Sequence, residues 1–246
     1  MFSKRLITSS LNLISQLQKR FITLEAVTTP NVNALKFLAK DYEFLPASLT
    51  NAVEIEDLPD ANYKSQLAQE LLKLNGVMSM MIGPNFITVT KVESSLSNNP
   101  ELEWPVLSDK IVNVITNSVD SKIPILTPEY KAEIVKRLEE PQDDDDDITF
   151  EIKELINTRI RPALQDDGGD IHFRSFDENT GVVYIKLQGA CKSCSLSEDT
   201  LKSGIEGMLK HYIEEVTEVR AVLDPEEEIA LQEFEKLERK LKQQRA

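Results

Sequence analysis

Apolar positions recur along this chain in two rhythms, one of strands and one of helices. Residues 21–27 form a β-prone run that stops at Thr29-Pro30-Asn31. Val77–Ile82 and residues 86–92 are apolar and β-prone, and they flank Gly83-Pro84-Asn85, the mark of a tight turn between two strands. Just before them Leu67, Leu71, Leu72 and Leu74 predict a helix. Ile111, Val112, Ile115 and Val119 predict another, with Ser108-Asp109 read as its cap. Thr127-Pro128 opens a short helix through Leu138, with threonine as cap and proline at the first helical position.

A second group of elements follows. The spacing of Ile152, Leu155, Ile156 and Ile160 predicts a helix over 149–163, with Arg161-Pro162 helping to end it. Asp166-Asp167-Gly168-Gly169-Asp170 reads as a tight loop, its aspartates as turn formers. Strands are expected at 171–176 and 182–188, joined by Asp177-Glu178-Asn179-Thr180-Gly181, with Val183, Ile185 and Leu187 on the core face. A helix with Leu201, Ile205, Met208, Leu209 and Tyr212 as its buried stripe comes next, then a strand over 216–223. The order is α-β-β-α-β. Residues 225–246 read as a capped, charged helical tail, with Ala230, Phe234, Leu237 and Leu241 as its apolar positions.

Together these predict an α+β protein of two small mixed domains. The 246 residues suit that number, and 41% hydrophobic residues suffice for two cores. The first domain spans 23–121 and the second 148–224. Residues 122–147 join them as a helical, Asp-rich linker, because Asp143 to Asp147 repel one another and bury nothing. Residues 1–22 stand apart. They are basic, rich in hydroxyls and free of acids in a chain of net charge −14, the composition of an organelle transit peptide. Removing the four basic residues of that segment takes the net charge to −18. Such acidity opposes nucleic-acid binding, which draws its affinity from Lys and Arg at phosphates. No uninterrupted apolar run reaches the ~18 residues that a membrane-spanning helix needs, so neither nucleic acid nor membrane is an expected partner.

The candidate chemistry lies in Gly189-Ala190-Cys191-Lys192-Ser193-Cys194, between a strand and a helix. Ser195 and Glu198 have capping-box spacing, which puts Cys194 at a helix N-terminus, where thiolate is favoured; Lys192 adds positive charge. With two residues between them, both sulfurs can turn to one centre. Three readings are open. An iron–sulfur cluster usually takes about four thiolates, so two chains supply the set and the cluster sits at a symmetric dimer interface. A thiol–disulfide exchanger also uses a strand, Cys-x-x-Cys and helix, although a βαβ unit should precede it. Zinc would recruit His172 and His211, which lie far outside zinc-finger spacing and read better as a strand surface residue and a helix C-terminal residue. No Ser/His/Asp order, phosphate-cradling glycine loop or metal-activated water site suggests an enzyme.

The second domain resembles the C-terminal domain of NifU-like proteins through Asp167-Gly168-Gly169-Asp170, the hairpin and Gly189–Cys194. The first resembles the N-terminal domain of the mitochondrial NFU type through Thr29-Pro30-Asn31, Ala34-Leu35-Lys36-Phe37, Gly83-Pro84-Asn85-Phe86-Ile87-Thr88-Val89 and Trp104. The whole is similar to the fungal form of that family. The resemblance implies a late-acting scaffold or carrier in the mitochondrial matrix. Its 4Fe–4S cluster would be held between two subunits by Cys191 and Cys194, and no other ligand carries over. It would receive clusters from upstream assembly factors and pass them to client apo-proteins such as lipoyl synthase and respiratory-complex subunits. The five-aspartate segment and the charged tail depart from the simplest family pattern and bear on partner choice.

Overall fold

The computed structural model describes residues 22–46, 48–93, 99–139, 146–192 and 195–224. The expected transit peptide before Ile22, most of the aspartate run, Cys194 and the tail from Pro225 lie outside them.

The first unit is a five-stranded antiparallel sheet of order β1-β2-β5-β4-β3, from β1 (Leu24–Thr28), β2 (Ala34–Ala39), β3 (Val53–Ile55), β4 (Val77–Ile82) and β5 (Phe86–Lys91). Its helices are α1 (Leu58–Lys64), α2 (Gln66–Leu72), α3 (Trp104–Asp120) and α4 (Pro128–Glu139). Alternation along the strands sorts the sheet into two faces. Leu35, Phe37, Val53, Ile55, Met80, Ile82, Ile87 and Val89 point to a core completed by Leu67, Leu71, Leu107, Ile111 and Ile115 of the helices. The opposite face carries Lys36, Leu38, Glu54, Met81, Phe86 and Thr88. It is covered too: Met81 and Phe86 form a separate small cluster with Ala52, and every residue of β5 is buried. An antiparallel sheet commonly leaves one face to water; here the second unit takes that place.

Two expectations need adjusting in this unit. α3 begins at Trp104, with Glu103 at the cap and Pro105 in the first turn, so Ser108 and Asp109 lie inside the helix. α4 starts as expected, the Tyr130 N–H donating to Thr127 Oγ1 at 3.3 Å. Rather than only spanning a gap, this segment adds Ile125, Leu126 and Ile134 to the first core.

The second unit runs α5 (Asp147–Leu155), a π-helical turn (Ile156–Ile160), α6 (Arg161–Asp166), β6 (Gly169–Asp177), β7 (Val182–Gly189), α7 (Ser195–Tyr212) and β8 (Glu218–Ala221). The expected first helix does not stop at Pro162. The Arg161 N–H donates to the Ile156 carbonyl, and this wider turn relieves the approach a proline ring makes to the carbonyl four residues back, so the helix continues to Asp166. β6 and β7 are antiparallel, with a bulge between Phe173 and Ser175. β7 and β8 are parallel, joined through α7. Ile152, Ile156, Ile160 and Leu164 pack on Val183, Ile185 and Leu187, and Ile205 and Leu209 of α7 close the same core. Met208 and Tyr212, expected in that stripe, are exposed at 36% and 52%.

Candidate metal centre

The cysteine turn is built where β7 ends and α7 begins. Gly189 closes β7 at φ +62, and Gly168 faces it from the start of β6 at φ +79, conformations that favour glycine. The Ala190 N–H donates to the Gly168 carbonyl at 3.2 Å, and the Lys192 N–H to the Gly189 carbonyl at 3.2 Å. A Cβ on Gly169 would lie 2.1 Å from Cys191 Sγ, so the missing side chain is the space the sulfur occupies. Cys191 is 6% exposed and belongs to the second core. Only two residues separate Lys192 from the first residue of α7, and Cys194 is one of them. The positive end of that helix therefore faces the turn. Cys194 itself is outside the described residues.

The thiol of Cys191 is a soft donor on the turn that precedes α7, which suits iron–sulfur chemistry and zinc alike. Neither histidine supports the zinc reading. His211 is exposed, with its ring against Tyr212. His172 is half-buried on β6 rather than on an open strand surface, in a cleft of about 480 Å³ with Glu54, Lys186 and Asp224. Burial holds its imidazole below the usual value; Asp170 opposes this, while Arg161, Arg174 and Lys186 reinforce it. Among the described residues no three His, Cys, Asp or Glu side chains are grouped to hold a metal.

Residues that the sequence offered only as turn formers anchor the site. Asp170 is fully buried. Its Oδ1 accepts from Arg161 Nε at 3.0 Å and from the Ile171 N–H at 2.7 Å; its Oδ2 accepts from the Ala52 N–H of the first unit at 2.6 Å. Arg161 also donates to the Ile171 carbonyl at 2.9 Å. The first unit reaches the turn at further points. Asn31 Nδ2 donates to the Ala190 carbonyl at 3.3 Å, and the Gly189 N–H donates to Glu54 Oε1 at 3.0 Å. Lys192 pairs with Glu56. Lys36 Nζ donates to the Gln165 and Asp166 carbonyls at 2.8 and 3.3 Å. Burial pushes the Glu54 carboxyl up and the Lys36 ammonium down from their ordinary ranges; the Gly189 N–H and Lys192 oppose the first shift, Asp166 and Asp167 the second. The unbroken apolar character of Met80-Met81-Ile82 was the available signal that both faces of this sheet are covered.

Comparison with known proteins yields two family matches. Residues 24–122 match the family described as scaffold protein Nfu/NifU N terminal, and residues 152–220 match the NifU-like domain. A mitochondrial NifU-like protein of Saccharomyces cerevisiae is 42% identical over 236 residues, covering 91% of this chain and 89% of that protein. A NifU-like protein of Schizosaccharomyces pombe is 43% identical, covering 90% of this chain and 81% of that one. The human protein named NFU1 iron-sulfur cluster scaffold homolog, mitochondrial, is 39% identical, covering 84% and 74%.

Proposed function

The chain belongs to the mitochondrial Nfu branch of the NifU-like proteins, and from that premise we propose that it carries a 4Fe–4S cluster held by Cys191 and Cys194 of two subunits. It is a mitochondrial iron–sulfur cluster scaffold by family, and we place its work in the matrix. The observation that supports the ligand assignment most is the placement of Cys191 on a glycine-shaped turn that leads directly into α7. One chain supplies two thiolates, half of what such a cluster usually takes. A second chain completes the set through the same turn, which is the self-complementary arrangement of a two-fold dimer.

The chain's residues then act as holders rather than catalysts. Gly168, Gly169 and Gly189 fix the turn, Asp170 and Arg161 brace its base, and the N-terminus of α7 favours thiolate. Client apo-proteins that gather three or four thiolates on one chain displace the two bridging pairs, and exchanging two half-sites on separate chains for one preorganised site draws the cluster across. Residues 148–224 carry the cargo, residues 23–121 select clients, and residues 1–22 direct the chain to the organelle.

Anaerobic reconstitution of residues 23–246 with iron and sulfide tests this. About four irons and four labile sulfides per two chains, in a coloured dimer by native mass, are expected. A colourless monomer whose thiols cycle through an internal disulfide would replace the carrier with a thiol–disulfide oxidoreductase.

A further inference from the structure

The bonds that cross between the units converge on one place. Gln165, Asp166 and Asp170 lie at the junction of α6 and β6 that backs the cysteine turn, and Gly189, Ala190 and Lys192 lie in the turn itself. All are held by Asn31, Lys36, Ala52, Glu54 or Glu56 of the first unit. The ideal Cβ position of Gly189 lies 2.8 Å from Met81 Cε, so this glycine lets the turn lie flat on the sheet. Pro30 of the first unit joins Asp167, Ala190 and Leu201 in walling the cavity over Cys191. That cavity measures about 40 Å³, room for roughly three waters. The eight inorganic atoms of a 4Fe–4S cluster do not fit in that volume.

The seam is also incompletely satisfied. Thr88 Oγ1, beside Gly168, and Gln188 Oε1, beside Glu54, are buried without a hydrogen-bond partner. Such groups are costly to bury and regain water when a seam opens. An interface with this defect, built mainly of polar bonds, resembles the contacts between domains that move.

We infer that the outer face of the first unit's sheet is a docking surface for the cysteine turn of its own chain, capping Cys191 until the two units part to admit the cluster. This rests on the cluster-carrier reading for its purpose but not for its test. Undocking exposes Lys36, Glu54, Glu56 and Met81 together with Cys191, so the face that guards the turn becomes free when cargo is loaded.

The test uses reduced, metal-free residues 23–246 and measures the alkylation rate of Cys191 with iodoacetamide by mass spectrometry. It compares the native chain with Lys36→Met/Met81→Gln. Both substitutions nearly conserve volume, and neither adds positive charge that would activate the thiol. The rate is expected to rise about tenfold, the effect of lowering the docking free energy by about 1.4 kcal/mol when opening is a fast pre-equilibrium. Hydrogen exchange at the Ala52 and Gly189 amides should quicken in parallel, while the Ile185 amide stays protected. Equal alkylation rates in the two proteins would overturn the cap. So would loss of protection at Ile185, since the first unit would then be part of the second unit's fold rather than a removable cover. Failure of the protein to hold a cluster would refute the carrier reading and leave the alkylation result standing.

Discussion

The two units use similar materials for different ends. The first builds its open sheet entirely from antiparallel neighbours and puts its helices on one face. The second has only three strands, and one pair, β7 and β8, is parallel. A parallel pair needs a crossover, and here α7 provides it. The crossover sets a strand end against a helix N-terminus, where a ligand finds oriented N–H groups and a positive field. The first unit contains neither cysteine nor histidine. The difference teaches that the site follows from topology as much as from residue type: thiols after β1, β2, β4 or β5 would have no α-helix N-terminus beside them, and β3 leads only into the seven residues of α1.

The largest expected effect separates the units outright. Cys191→Ser should abolish retention of iron and sulfide after desalting. Phe37→Ala, in the first core, should cost about 3–5 kcal/mol in urea unfolding yet keep the iron-to-protein ratio of whatever remains folded. Loss of cluster in both would mean that the units are one functional body. Next is Asp170→Ala. It leaves Arg161 buried without its partner, a loss of about 3–5 kcal/mol. Because Asp170 also accepts from Ala52, both units should lose stability together, read by amide exchange in each core. A loss confined to the second unit would show that this bond does not couple them.

Smaller changes sharpen the contrast. Gly169→Ala drives a methyl into Cys191 Sγ and should cost about 1–3 kcal/mol, with slower cluster uptake at unchanged first-unit stability. The last prediction concerns α7, the described helix with glycines in its interior. Nothing lies within 4 Å of a Cβ at Gly204 or Gly207. Gly204→Ala and Gly207→Ala should each raise stability by about 0.5–1 kcal/mol in thermal unfolding without altering cluster content. A loss of cluster at native stability would show that the softness of α7 serves the turn above it.

Much of this was legible before the structure. Val183, Ile185 and Leu187 fell on the core face because strand periodicity is strict, and all three are buried. The α-β-β-α-β order and Cys191 beyond the last residue of β7 followed from the same reading. Other features were hidden for physical reasons. β3 has three residues, too few for a period to register. Pro162 is a helix breaker unless the turn before it widens, and nothing local announces that widening. Asp170 looked like its neighbours Asp166 and Asp167; its role comes from Arg161, nine positions earlier, and from Ala52 in the other unit. The burial of Met208 and Tyr212 was overestimated because a helix covering a three-stranded sheet hides a narrower stripe than one inside a larger core.

The bulge between Phe173 and Ser175 bears on how copies of this chain avoid sticking together. β6 spans nine residues at the edge of its sheet, long enough to recruit a strand from another molecule and extend the sheet across two chains. The extra residue breaks its hydrogen-bonding rhythm midway, and Arg174 at that position is drawn toward Asp224. An incoming strand could match one half of the edge or the other, but not both. Sheet-to-sheet aggregation is thereby blunted in the same unit that carries the cysteine turn.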